Sequence, residues 1–160
     1  MNSLLLLLFL ISEPDDSLQC VCYPKSLNES FHSSDIILIG RVLKIDTAKL
    51  FDKELPKGTF REGNLARVEV RRMIKGALTS DTLSIMTGNG FADCGYVFKV
   101  NTNYLIYATK KDYILIDSTD YDRLQFVTTP RIILTTTNCD RTTPLIAKEN
   151  KLLKKFLKGF

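Results

Sequence analysis

Cys20-Val21-Cys22 is the segment of this chain best suited to chemistry. Two thiols one residue apart on an extended segment point to opposite sides, so each needs a partner far along the chain. Only Cys94 and Cys139 are available. If the residues up to Gln19 are removed, the free α-amine of Cys20 lies beside its own carbonyl, at the tip of a disulfide-pinned arm. That pair is a bidentate ligand for a metal ion held by another protein. An α-amino group has a pKa of about 7.7–8.0, so a good fraction is neutral and able to coordinate at physiological pH.

Other chemistry is sparse. His32 is the single histidine, expected on the surface beside a short helix, and it leaves a His-based triad no choice of base. There is no G-x-S-x-G elbow and no H-E-x-x-H zinc motif, so the chain is not expected to be an enzyme. Asn28-Glu29-Ser30 is a glycosylation sequon close to the arm.

Leu4 to Ile11 is an unbroken apolar run. It is too short to span a bilayer, which takes roughly 20 residues, and it reads as the apolar part of a secretory leader, residues 1–19. The expectation is therefore a secreted, extracellular protein with no membrane association after leader removal. Residues 20–160 suit a single domain. The composition is 44% hydrophobic and 25% charged, enough to build a core. A net charge of +4 is too mild to argue for nucleic acid. Four cysteines behind a leader suggest two disulfides, with three possible connectivities. A four-cysteine zinc site is the rival, but Cys94 and Cys139 lack the tight knuckle spacing of zinc ribbons.

The elements that must position the arm follow from periodicity. Ser26 to Ser34 suits a turn or two of helix. Asp35 to Ile45 is apolar and rich in β-branched residues, with a bulge or bend expected at Gly40. Asp46 to Asn64, with Pro56, Gly58 and Gly63, reads as a long loop. Leu65 to Ile74 and Thr82 to Thr87 alternate as half-buried strands. Val97 to Val100 suits a short edge. Tyr104 to Thr109, Tyr113 to Asp117, Leu124 to Thr128 and Arg131 to Thr137 are further strands. Tyr104, Tyr107 and Phe126 are expected in the core or on the barrel wall rather than on a base-stacking platform. After Cys139 the period becomes helical, with Thr142 or Thr143 as cap and Pro144 in the first turn. Leu145, Leu152, Leu153, Phe156 and Phe160 fall on one face, and Lys148, Lys151, Lys155 and Lys158 on another. That lysine face suits a sulfated glycosaminoglycan. The sum is a mainly β domain, a small barrel with helices outside it.

Several pieces, taken in order, resemble the N-terminal, netrin-like domain of the tissue inhibitors of metalloproteinases. They are Cys20-Val21-Cys22-Tyr23-Pro24, Ser30 to Leu38, Ile74-Lys75-Gly76, Cys94-Gly95-Tyr96, Tyr104-Leu105-Ile106, Leu134 to Cys139, and the terminal helix. The resemblance implies a five-stranded OB-fold barrel with a short N-terminal helix and a C-terminal helix. It implies bridges Cys20–Cys94 and Cys22–Cys139. It also implies that the Cys20 amine and carbonyl chelate the catalytic zinc of a secreted matrix-degrading protease, the chain having no cofactor of its own. Val21 would enter the enzyme's specificity pocket, with Cys22 and Tyr23 continuing the contact. Phe91, Ala92 and Asp93 would complete the ridge. The chain departs from the family in three ways. His32 stands where the family has a cysteine, the family's second inhibitor domain is not expected here, and Lys110 to Pro130 reads as an inserted hairpin. The other function class is a non-inhibitory extracellular netrin-like binding module.

Overall fold

The computed structural model describes residues 20–23, 25–52, 60–77, 80–90, 93–116, 130–145 and 147–159. The expected leader (residues 1–19), the strand expected at Leu124–Thr128 with Phe126, and Phe160 lie outside the described residues. In chain order the elements are α1 (Leu27–Ser33), β1 (Ile36–Asp52), β2 (Phe60–Lys75), β3 (Thr82–Thr87), β4 (Asn103–Ile116), β5 (Pro130–Thr135), β6 (Thr143–Pro144) and α2 (Ala147–Leu157). The fold is mainly β. Strands pair in the order β1-β2-β3-β5-β4-β6, and β1 also pairs with β4, so five strands close into a ring with β6 added outside it. The β1–β4 and β3–β5 pairings are parallel and the rest antiparallel.

Strand periodicity separates the two main clusters of the core. Leu38, Val42, Val68, Ile85, Tyr104, Ile106 and Ala108 share one cluster. Ile37, Leu105 and Tyr107 point the other way and meet Leu153 of α2, with Leu27 and Phe31 of α1 packed alongside. Residues 104–108 are thus all buried. Both faces of β4 are covered there, which explains why that stretch reads as a continuous apolar run.

α1 begins at a capping box, in which the Ser26 hydroxyl accepts from the Glu29 N–H and the Glu29 carboxylate accepts from the Ser26 N–H. The two reciprocal bonds satisfy donors that the first turn leaves open. The helix is closed at its other end by Lys75, whose ammonium donates to the carbonyls of Phe31 and Ser34, each at 2.6 Å. Phe31 then packs against Phe156 of α2 in a tilted ring pair, 5.2 Å between centroids.

Four local expectations are corrected. Most of Asp46 to Asn64 is not loop, because β1 runs to Asp52 and β2 starts at Phe60. Lys49 pairs with Glu62 across that extension, at 2.8 Å between charged atoms. Gly63 is tolerated as a strand residue because β3 crowds it: a Cβ would strike the Met86 side chain and the Thr87 carbonyl. Val97 to Val100 forms no strand; it carries Phe98 into the core while Val97 and Val100 stay exposed. Thr143–Pro144 pairs with β4 instead of opening the helix, which starts at Ala147. Leu152 is 41% exposed, so Leu153 rather than Leu152 anchors α2.

Of the hairpin expected over Lys110 to Pro130, residues 117–129 lie outside the described residues, and its two ends extend the flanking strands. β4 continues to Ile116 and pairs with β5 from Thr109–Thr135 to Ile114–Pro130. The bulge expected at Gly40 coincides with a register shift between Ile39 and Gly40.

Candidate functional site

The structure joins Cys20 to Cys94 and Cys22 to Cys139, the connectivity implied by the resemblance, with Cα atoms 5.1 and 4.9 Å apart. The two bridges lie side by side. Cys20 Sγ is 3.5 Å from Cys22 Sγ and 4.0 Å from Cys139 Sγ. All four sulfurs fall within 4.8 Å of one another. A cluster this tight could in principle hold zinc, but no cysteine among the described residues is free, and zinc takes thiolates.

Each receiving cysteine sits in a turn built by a neighbouring aspartate. The Asp93 carboxylate accepts the N–H of Asn89 at 2.6 Å and those of Gly90 and Gly95 at 3.0 Å. Partial burial pushes the Asp93 carboxyl upward, but these backbone donors outweigh it and hold the group below its ordinary range. The turn needs Gly95 as well, because a Cβ there would collide with the Gly88 backbone. Cys94 itself takes the left-handed conformation, with φ of 57°.

On the other side, one Asp140 oxygen accepts both the Thr137 N–H, at 2.9 Å, and the Thr137 hydroxyl, at 3.0 Å. The Thr137 hydroxyl oxygen also accepts the Cys139 N–H. The two turns are joined by a bridge between Gly95 and Thr137 and by the Asn138 N–H donating to the Cys94 carbonyl at 2.8 Å. One small platform therefore receives both bridges.

The arm is held again past Tyr23. Lys25 pairs with the second Asp140 oxygen at 3.3 Å, and Arg141 donates to the Lys25 carbonyl at 3.3 Å. Arg141 also grips both carboxylate oxygens of Glu149 on α2, at 2.7 and 3.2 Å. That pairing with Glu149 raises the guanidinium pKa, so the link stays charged. Between these anchors the apolar side chains face water: Val21 is 74% exposed and Tyr23 86%.

An open groove of about 600 Å³ runs beside the platform, between Lys25, Thr87, Asp93, Thr137 and Asp140. Phe91 and Ala92, expected on the contact ridge, lie outside the described residues. Asp93 is exposed, yet its carboxylate is spent on its own turn. His32 is exposed at the last turn of α1. Asn28 is exposed in the first turn of that helix, while the hydroxyl of Ser30 in the same sequon is buried.

The two aspartate turns escaped the sequence reading. Their signal is an acid directly beside each distant cysteine, Asp93-Cys94 and Cys139-Asp140, with short polar residues a few positions away. Compared with known proteins, the chain matches no family model and aligns significantly with no curated protein.

Proposed function

We propose that the chain is a secreted inhibitor of zinc endopeptidases, acting through Cys20 once it is the first residue of the mature protein. The same reading takes the ring of five strands as an OB-type barrel of the netrin-like kind.

One observation supports it most. A short arm carrying two exposed apolar side chains, Val21 and Tyr23, is fixed by two bridges and an ion pair to a single platform. Exposed apolar side chains on a free arm normally collapse onto the protein or remain mobile. Held this way they are already ordered, so a partner loses little conformational entropy in binding them. The backbone amine and carbonyl of Cys20 would take the open coordination position of the enzyme's catalytic zinc and displace the attacking water. Val21 would fill the adjoining specificity pocket, with Tyr23 packing farther along.

The test has two parts. The N-terminus of the secreted chain is sequenced, with Cys20 expected as the first residue. That protein is then titrated into a panel of matrix-degrading zinc endopeptidases, with stoichiometric and reversible inhibition of at least one expected. A different first residue, or no inhibition across the panel, replaces this reading with the non-inhibitory binding module.

A further inference from the structure

We propose that the lysine face of α2 is a docking surface for a linear sulfated polysaccharide. The inference is independent of the protease reading.

Lys148, Lys151, Lys154 and Lys155 lie on α2, and Lys158 follows one residue beyond its end. All five are exposed. At 100° per residue they occupy an arc of about 120°, and from Lys148 to Lys158 they run about 15 Å along the axis. The result is a stripe of positive charge, the shape that matches an extended polyanion.

The charge is uncompensated. Glu149 is the one acid of the helix. It is buried, lies off that arc, and is held by Arg141. Among the described residues none of the five lysines forms an ion pair. Lysines late in a helix do favour its dipole, but that role needs no stripe and does not involve Lys148 in the first turn.

Membrane binding fits the helix less well. A surface helix enters lipid through its apolar face. Here that face is already occupied, with Leu153 against Ile37, Leu105 and Tyr107, and Phe156 against Phe31. Apart from Leu152, which is 41% exposed, what remains available is charge. Lysine supplies it as point charges without the forked geometry by which arginine selects single phosphates or carboxylates. Recognition by charge density favours a heavily sulfated chain.

The full secreted protein is measured by calorimetry and by retention on immobilised heparin at about 0.15 M salt. Two triple variants of equal net charge are compared: K151Q/K155Q/K158Q on the stripe, and K99Q/K110Q/K111Q on exposed lysines elsewhere. Glutamine keeps nearly the helix propensity of lysine, and circular dichroism verifies the fold of each variant.

The stripe variant is expected to bind about a hundredfold more weakly, on the order of fivefold per lysine at a densely anionic surface. Its salt dependence should flatten by about 2–3 in the log–log slope, one counterion per lost contact. The control variant should lose less than about threefold, and desulfated polymer should not bind. Equal losses in both variants, tighter binding to phosphatidylserine vesicles than to the polysaccharide, or no retention of the native chain would overturn the proposal.

Discussion

Replacing Cys22 and Cys139 together by alanine removes one bridge and leaves its neighbour, and the structure sets the size of the effect. The bridges span 74 and 117 residues, and taken alone each would restrict the unfolded chain by about 4–5 kcal/mol. They are not independent. With Cys20–Cys94 intact, the loop that Cys22–Cys139 closes runs from Cys22 back to Cys20, across the first bridge, and on from Cys94 to Cys139. That path is roughly 47 residues, which the chain-entropy relation converts to about 4 kcal/mol. For the roughly 115 residues that the structure describes the unfolding entropy is about 0.24 kcal/mol per degree, so the loss corresponds to a fall in Tm of roughly 15–18 °C. Differential scanning calorimetry under non-reducing conditions reads it directly. Removing Cys20–Cys94 instead opens a loop of the same length and should cost about the same. Removing both takes away most of a typical domain's 5–15 kcal/mol and should leave the chain unfolded at 37 °C. A Tm within about 3 °C of the native value after loss of Cys22–Cys139 would refute the view that this bridge constrains the chain.

Three further outcomes are expected. Asp93→Asn removes the charge from the three-donor turn and should cost about 1 kcal/mol at neutral pH in urea unfolding, a small value because the turn is open to water. The folded Asp93 pKa lies below its ordinary 3.8, so its contribution is present above about pH 4 and fades as pH falls through the lower, folded value. The gap between native and variant should therefore close below pH 4, and a constant gap would contradict the assignment. Leu153→Ala should cost about 2–4 kcal/mol, since Leu153 is 2% exposed in the cluster with Ile37, Leu105 and Tyr107, whereas Leu152→Ala should stay within about 0.5 kcal/mol; equal costs would mean the helix is seated on another face. Val21→Gly should weaken inhibition by roughly 1–3 kcal/mol, about five- to 150-fold, with unfolding almost unchanged; an unaltered inhibition constant would exclude Val21 from the enzyme's pocket.

Much of the fold was legible where local signals agreed. Ser26 to Ser34 reads as a short helix and holds α1, and alternation through Val68 and Val70, then Leu83 and Ile85, marks strands. The failures have a common physical cause, which is that tertiary pairing overrides local chemistry. The β1–β2 extension carries charge and Gly63, loop signals when read alone, yet the strands pair because Lys49 faces Glu62 and β3 leaves no room for a side chain at Gly63. Thr143–Pro144 resembles a helix start, but β4 offers its edge and takes the segment as a strand. The platform was the hardest part to foresee. Cysteine spacing alone leaves three pairings open, and only the family resemblance singled one out. The hydrogen bonds of Asp93 and Asp140 depend on turns that no periodicity reports.

The central claim is that the backbone amine and carbonyl of Cys20 bind a protease's zinc. Its most direct test is the inhibition constant of the chain beginning at Cys20, measured beside a form with one alanine added in front. The added residue converts the amine to an amide, a poor zinc ligand, and occupies the place of the metal, while both bridges and the strand ring should be retained. The account predicts a loss of several kcal/mol, a thousandfold or more by about 1.4 kcal/mol per tenfold, with unchanged thermal unfolding. Equal inhibition by the two forms would contradict it.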